Sequence, residues 1–418
     1  MAKKFVSFLG ITDYTEVFYE FNGVKTTAKV KFVQEALIEL ACSKFNVDKD
    51  KIVILVTEKA KEINWNKLKT AFINKNIPEH MLVPLDIPDE KGEAGVWKLF
   101  AKIYNEVLQE DDTVIFDITN AFRFLPVVMY SVLRYAQYLK NVKLEGIYYG
   151  AYEHMVDEIE PIIDLTETYE IIEWASAANL FRSYGIATDL FTRIKHQDKD
   201  FMETGKLSES IRTVSQNINY ARGLRVIEGA VFKNCVDKIN TYINDEKINP
   251  ALPPILQTVI DKIKDFESNK VLNFIPAVQW YIEHDMPAEA LSMMKEGIVS
   301  YLLAENGENY KDASLRLLLG KRLAYIEKNK SFVYSEAEKK FKPLIENIMS
   351  SSVARELKSV VETFNKFRND IDHCGFGQDA RNPENLKREI NSAFQRIENI
   401  FSVYKYQDEI MNLIVGEK

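Results

Sequence analysis

The chain predicts an open α/β domain followed by an all-α one, and three observations carry the prediction. Short apolar runs rich in β-formers alternate with amphipathic helical patterns up to about residue 165. The strand signals then fade, and from there to residue 414 the chain reads as a succession of helices.

The runs FVSFLG (5–10), KIVILVT (51–57), MLVPLDI (81–87), TVIFDIT (113–119) and EGIYYGAY (145–152) have the length and the Val, Ile, Phe and Tyr content of buried strands. Between them, segments 30–45, 66–75, 96–108 and 124–139 space apolar residues three to four apart, as helices do. Strand–helix–strand alternation predicts right-handed crossovers, a mainly parallel sheet and helices on both of its faces. The segment TEVFYEFNGVKTT (15–27) carries Asn22-Gly23 at its middle, which predicts a hairpin inserted after the first strand.

Segments 171–194, 208–243 and 256–267 read as amphipathic helices, and NPALPP (249–254) is a clear break. A last helical block follows at 273–305, 313–328, 353–373 and 384–414. The chain therefore divides into an α/β domain over 1–165, a helical linker over 166–270 and a terminal helical domain over 271–418.

Bulk properties narrow the function. With 46% hydrophobic and 28% charged residues the composition is that of a globular protein, and a formal net charge of −8 argues against a constitutive nucleic-acid binder. Cys42, Cys235 and Cys374 are too far apart for a local disulfide framework or metal knuckle and fit a reducing compartment. The opening MAKKFVSFLG is too short in apolar residues for a signal peptide, and no window approaches ~18 uninterrupted apolar residues. A cytoplasmic protein without a membrane partner is the expectation.

In an open parallel sheet, ligands sit beyond the carboxyl ends of the strands. The residues there are Gly10, Thr12, Asp13 and Tyr14 after the first run; Thr57, Glu58 and Lys59 after the second; Asp117, Thr119, Asn120, Ala121 and Arg123 after the fourth; and Gly150 after the fifth. Small, hydroxyl and amide side chains at several strand ends suit a ligand rich in phosphate or ribose. No GxGxxG or GxxxxGK[ST] is present, so dinucleotide redox chemistry and P-loop hydrolysis lack their usual support, and binding is the better reading. Asp117, Thr119 and Asn120 also suit the cap of the following helix, and that alternative stays open.

The sharpest chemical pattern is Phe367-Arg368-Asn369-Asp370-Ile371-Asp372-His373, followed by Cys374 and Gly375. Val353, Leu357, Val360, Phe364, Phe367 and Ile371 form the apolar stripe of this helix, which leaves the opposite edge for chemistry. Asn369 and His373, four residues apart, face one way, with Arg368 displaced around the helix. Gly375 is placed to end the helix, so His373 falls at its carbonyl end. Arg182, Arg193, Arg222 and Arg225 suit an RNA path or, with acidic neighbours on the same helices, a solvated face. The remaining histidines, His80, His154, His196 and His284, suit surface or capping roles.

These segments resemble a known group. DITNAFRFLP (117–126) is similar to the Asp-x-Thr-His-Gly motif, continued as Phe-Arg-x-Leu-Pro, of CRISPR-associated proteins with a CARF sensor domain, with Asn120 and Ala121 in place of His-Gly. FLGITDY (8–14), LVTEKA (55–60) and IYYGAY (147–152) resemble that group's other strand ends, in the same order. Arg368 through His373 resembles the Arg-x4-to-6-His motif of HEPN ribonucleases, and 280–302 looks like the first HEPN helix of the same group. The resemblance implies a Rossmann-like CARF domain followed by an all-α HEPN domain, acting as an ancillary effector of type III CRISPR defence. It implies cyclic oligoadenylate as allosteric activator, tetraadenylate ahead of hexaadenylate, with no cofactor or metal. It further implies single-stranded RNA as substrate, Arg368, Asn369 and His373 as the catalytic set, and a homodimer with one composite site. The alternatives are a ligand-binding regulator without nuclease activity and a ring nuclease that degrades the cyclic nucleotide.

Overall fold

In chain order the first part of the molecule forms β1 (Lys3–Leu9), β2 (Phe18–Phe21), β3 (Val24–Lys25), α1 (Val33–Leu40), β4 (Lys51–Val56), α2 (Glu58–Ala60), α3 (Asn66–Asn74), β5 (Leu82–Asp86), α4 (Glu93–Lys102), β6 (Thr113–Asp117), α5 (Leu125–Lys140), β7 (Lys143–Gly150) and β8 (Ile159–Asp164). The strands make one sheet in the order β3-β2-β8-β7-β6-β1-β4-β5. The run from β7 to β5 is parallel throughout, as its helical crossovers require.

Strand alternation sorts the apolar residues onto two faces, which is why the inner strands read as unbroken apolar runs. Phe5, Leu9, Ile52, Ile54 and Val56 pack with Ala36 and Leu37 of α1 and with Leu68 and Phe72 of α3. Val6, Phe8, Val53, Leu55, Val114 and Phe116 point the other way, onto Leu99 of α4 and onto Met129, Val132 and Leu133 of α5. The hairpin forms as expected: β2 and β3 pair antiparallel across Asn22 (φ +51°) and Gly23 (φ +77°), the left-handed pair of a type I′ turn.

One strand had no counterpart in the sequence reading. β8 runs antiparallel to β7 and carries β2 in parallel on its far edge, so the sheet is mixed. Its sequence, IEPIID, has a proline and two acids in six residues and no apolar run to announce it. Pairing with neighbours on both sides decides its conformation.

The second part is helical: α6 (Thr166–Tyr184), α7 (Thr188–His196), α8 (Phe201–Asn219), α9 (Gly223–Glu228), α10 (Ala230–Ile243), α11 (Leu252–Ile263), α12 (Phe274–Glu283), α13 (Pro287–Glu305), α14 (Ala313–Leu323), α15 (Lys342–Ser350), α16 (Ser352–Asp372) and α17 (Pro383–Val415). Long periodic segments break at left-handed residues: 171–194 at Gly185 (φ +69°), 208–243 at Ala221 (φ +49°) and Gly229 (φ +71°), and 273–305 at Asp285 (φ +54°). α13 is buried on every side, from Leu291 through Ile298 to Leu303, and forms the centre of the bundle. A single core runs from Trp174 of α6 to Phe401 of α17, so the helices of 166–270 and those of 271–418 share one interior.

The structure, a computed structural model, describes residues 1–42, 44–87, 92–120, 124–196, 201–244, 248–325, 331–376 and 380–415, without the side chains of 195–196, 201–203, 362–363, 365–366, 368–369, 372 and 403–415. It divides into two units, Met1–Ile171 and Ile172–Lys418. No helix among the described residues is long and apolar enough to cross a membrane.

Gly229 is the tightest joint of the second unit. It combines a left-handed backbone with a position where a Cβ would run into the carbonyl oxygen of Glu267 and the Nδ2 of Asn273. Gly229→Ala is expected to cost about 2–4 kcal/mol. Urea unfolding followed by helical circular dichroism reads this, and a midpoint equal to that of the parent chain would contradict the packing described.

Candidate functional site

The connections leaving β1 run to β4 on one side of the sheet, while β6 and β7 continue on the other. The loops after β1 and β6 therefore diverge, and the carboxyl ends of these two strands flank a topological switch point. Gly10 follows β1 there. A Cβ on it would lie 2.6 Å from Tyr14 Oη and 3.9 Å from Asn120 Cβ, so the two loops meet at this residue. The Gly10 N–H donates to Tyr14 Oη at 2.8 Å, and the Tyr14 ring packs on Phe32, 5.2 Å between centroids. Burial pushes the Tyr14 phenol up to about 12, so it serves as a neutral hydroxyl.

The loop after β1 is held from below by Asn64, a fully buried residue on the turn leading into α3. Its amide donates to Gly10 O at 3.0 Å and to Thr12 O at 2.9 Å. Asp13 projects to the exposed side, where Lys31 donates to its carboxylate at 3.0 Å and holds it below the usual carboxylate range.

Asp117 ends β6 and is fully buried. Its carboxyl accepts from Ser7 Oγ at 2.6 Å and from the N–H and Oγ1 of Thr119 at 2.9 and 2.5 Å. Thr119 Oγ1 in turn accepts from the Gly150 N–H at 2.8 Å. From the helix side, Gln34 of α1 donates to Ser7 Oγ at 3.0 Å and to Phe8 O at 2.9 Å. One chain of hydrogen bonds thus joins α1, β1, β6 and β7 at the switch point. Burial raises the Asp117 pKa, and the bonds from Ser7 and Thr119 oppose that rise.

Gly150 closes this corner. A Cβ on it would fall 2.7 Å from Glu160 Oε1 and 2.8 Å from Val33 Cγ2 at the start of α1. Glu160, on β8, is nearly fully buried beside Tyr19, its register neighbour on β2. Desolvation lifts its carboxyl from 4.5 to about 7, the negative charges of Glu153 and Asp117 adding to the rise and a hydrogen bond with Tyr19 opposing it. The Tyr19 phenol is also pushed up, chiefly by burial.

Of the residues anticipated from sequence, Gly10, Tyr14, Asp117, Thr119, Asn120 and Gly150 come together around the β1–β6 crevice, with Thr12 tied in through Asn64. Asp117 acts inside the fold, organising the loop. Thr57 lies at the end of β4, where its Oγ1 accepts from the Ala60 N–H as a helix cap, and Glu58 and Lys59 are exposed beside it. Ala121 and Arg123 lie outside the described residues. Ser7, Gln34, Asn64, Tyr19 and Glu160 were missed. Ser7 and Gln34 did carry a signal, as polar residues inside apolar runs.

The second candidate site lies at the end of α16. Leu357, Val360, Phe364 and Phe367 are buried in the helical core, with Val353 and Ile371 partly so. The helix stops in a double left-handed turn, Cys374 at φ +52° and Gly375 at φ +70°, with Gly375 N–H donating to Asp370 O at 2.9 Å. His373 stands exposed in this turn. Asp370 secures it from behind: its carboxylate accepts from the Arg381 N–H at 2.9 Å, and the Arg381 guanidinium lies 4.8 Å from the Phe367 ring. The side chains of Arg368 and Asn369 lie outside the described residues.

Comparison with known proteins adds two matches on separate stretches. Residues 4–153 match the family model of the CARF domain of the CRISPR system endoribonuclease Csx1. Residues 170–279 match that of the second domain of the CRISPR-associated protein MJ1674. The CRISPR-associated protein MJ1674 of Methanocaldococcus jannaschii is 32% identical over 186 residues, covering 41% of this chain and 27% of that protein. The chain thus spans about a quarter of this relative's length. Both comparisons support a CRISPR-associated protein with a CARF-type domain at the mixed α/β sheet, followed by a helical part.

Glu160 makes the first unit sensitive to pH. Its folded pKa lies above the unfolded one, so the folded state holds the extra proton, and that contribution to stability is complete below 4.5 and lost as pH rises through about 7. The thermal midpoint of the first unit should therefore fall between pH 5 and 8, and Glu160→Gln should flatten that fall. Parallel pH profiles of the two chains would show Glu160 to be irrelevant.

Proposed function

We propose that this chain is a metal-independent endoribonuclease activated by cyclic oligoadenylate, a CRISPR-associated effector whose first unit senses the ligand and whose second unit cuts single-stranded RNA. The sensor half is carried by the crevice between β1 and β6: it is lined by backbone, hydroxyl and amide groups, and it lies in a stretch similar to the CARF domain of Csx1. A ring of nucleotides offers phosphates and riboses to those groups. Cyclic tetraadenylate is the favoured ligand, ahead of hexaadenylate.

The nuclease half rests on the exposed His373 at the end of α16, with Arg368 and Asn369 one turn earlier. RNA brings its own nucleophile, the 2′-hydroxyl. The protein must orient it, move a proton and offset charge on the pentacoordinate phosphate. In this reading His373 is the proton-transfer group, Arg368 stabilises the phosphorane and Asn369 positions the substrate. The products are a 2′,3′-cyclic phosphate and a 5′-hydroxyl. One Arg and one His are few for this task, so two chains are proposed to pair their α16 ends in a homodimer with one composite site.

Cleavage of a fluorescent single-stranded RNA in EDTA, with and without cyclic tetraadenylate or hexaadenylate, tests the whole reading. Ligand-dependent cutting is expected, with Arg368→Ala and His373→Ala each losing roughly 100-fold or more. A chain that binds one of the rings and still leaves RNA intact would be a ligand-binding regulator.

A further inference from the structure

Arginines of the helical unit are mostly neutralised. Arg193, Arg212, Arg225, Arg316, Arg322 and Arg381 each lie on a carboxylate. Arg182 and Arg222 are exposed and, like Arg355, Arg388 and Arg396, bond only neutral groups among the described residues. The Arg182 guanidinium donates to Asn179 Oδ1 at 3.3 Å, and Arg222 Nε donates to Tyr220 O at 2.7 Å. In a chain of net charge −8, Arg182 and Arg222 leave two exposed guanidinium groups whose charge no neighbouring carboxylate offsets.

That corner also exposes aromatic surface. Tyr184 and Tyr220 end their helices at 60% and 65% exposure. The two helix ends that carry them are joined because Ser215 Oγ and Asn219 Nδ2 both donate to Gly185 O, at 2.6 and 3.0 Å. The left-handed Gly185 permits this close approach, since a Cβ there would lie 2.9 Å from the Trp280 indole. Two tyrosines flanked by two unpaired arginines, with apolar Ile186 and Leu224 also exposed, offer stacking faces and phosphate partners together.

The corner continues toward the α16 turn. His284 lies against Trp280, 4.7 Å between ring centroids, and its Nε2 is 3.3 Å from Arg182 O. The next residues, Asp285 to Pro287, form one wall of a cavity of about 200 Å³. Pro383, Leu386 and Ile390 of α17 form the other wall, and Lys387 pairs with Asp285 at its rim. Arg381, just ahead of α17, is anchored to Asp370 behind the His373 turn. An apolar slot with polar groups at its edge has the character of a nucleobase site.

We propose that this corner of the helical unit, from Tyr184 and Tyr220 past Arg182 and Arg222 to the cavity beside α17, is the docking track for single-stranded RNA that leads to the His373 turn. The inference rests on the ribonuclease reading and deepens it by assigning where the substrate lies. Base stacking on the tyrosines gives affinity without sequence preference, and the arginines contribute two phosphate contacts. A duplex, whose bases are already stacked on one another, has no faces to offer this platform.

Fluorescence anisotropy of an unstructured labelled RNA, with the full chain carrying His373→Ala to prevent cleavage, provides the test. Tyr184→Ala with Tyr220→Ala should weaken binding roughly 10-fold or more, while the paired Phe replacements, which keep the rings, should bind as the parent does. Arg182→Ala with Arg222→Ala should weaken binding and lower the slope of log affinity against log salt by about 1.4. In the cleaving background the two alanine pairs should raise KM and leave kcat near that of the parent. Unfolding midpoints matched to the parent exclude loss by misfolding. If the parent holds RNA and both alanine pairs hold it equally well, the track is wrong and the ribonuclease reading stands. If the parent neither holds nor cuts RNA, both fall.

Discussion

The first unit depends on one buried carboxyl group. Asp117 sits where β6 ends, out of reach of water, and collects hydrogen bonds from β1 through Ser7 and from its own loop through Thr119. A buried carboxyl without such donors would cost several kcal/mol. With them, it fixes two neighbouring strand ends and, through Thr119, the amide of Gly150 on a third. Gln34 extends the same chain into α1. Four elements are thus tied together beneath the switch point, where the loops after β1 and β6 meet at Gly10 and Asn120.

The same corner concentrates negative charge. Asp117 and Glu160 are both buried and both raised in pKa, chiefly by desolvation, and the charge of Asp117 adds to the rise at Glu160. The fold tolerates them because Ser7, Thr119 and Tyr19 offer hydroxyl groups and because Gly150 lets β8 approach closely. The pH response of this unit is therefore set by the same few residues that tie its strand ends together.

The helical unit is organised differently. Its centre, α13, is buried along most of its length and holds the bundle mainly by packing, with Gly297 letting the Phe274 ring lie against the helix backbone and Arg316 bonding Glu296 and Ser300 on its polar edge. Two helix ends carry the polar detail that bears on function. At the end of α16 the left-handed pair Cys374–Gly375 and the clamp between Asp370 and Arg381 hold His373 outward. At the ends of α6 and α8, Gly185 and its donors hold Tyr184 and Tyr220 outward. Burial decides which helices pack, and turn chemistry decides what they present.

The sequence by itself determined the elements whose signal is local. Runs such as KIVILVT can only be buried strands, Asn22-Gly23 selects its turn, and Leu357, Val360, Phe364 and Phe367 mark one face of a helix whatever that face meets. The strand-end residues around the crevice were legible for the same reason, since chain order fixes which residues follow a strand. Tertiary structure alone decided β8, because IEPIID becomes a strand only between β7 and β2, and it decided that the middle and terminal helices share one core. It also decided the roles of Ser7, Gln34, Asn64 and Glu160: each is an ordinary polar residue until partners far along the chain, 27 positions from Gln34 to Ser7 and 110 from Ser7 to Asp117, come within hydrogen-bond reach. Periodicity records which side of an element is apolar, whereas the identity of a buried polar group's partner is a distance between elements, and that exists only once the chain has folded.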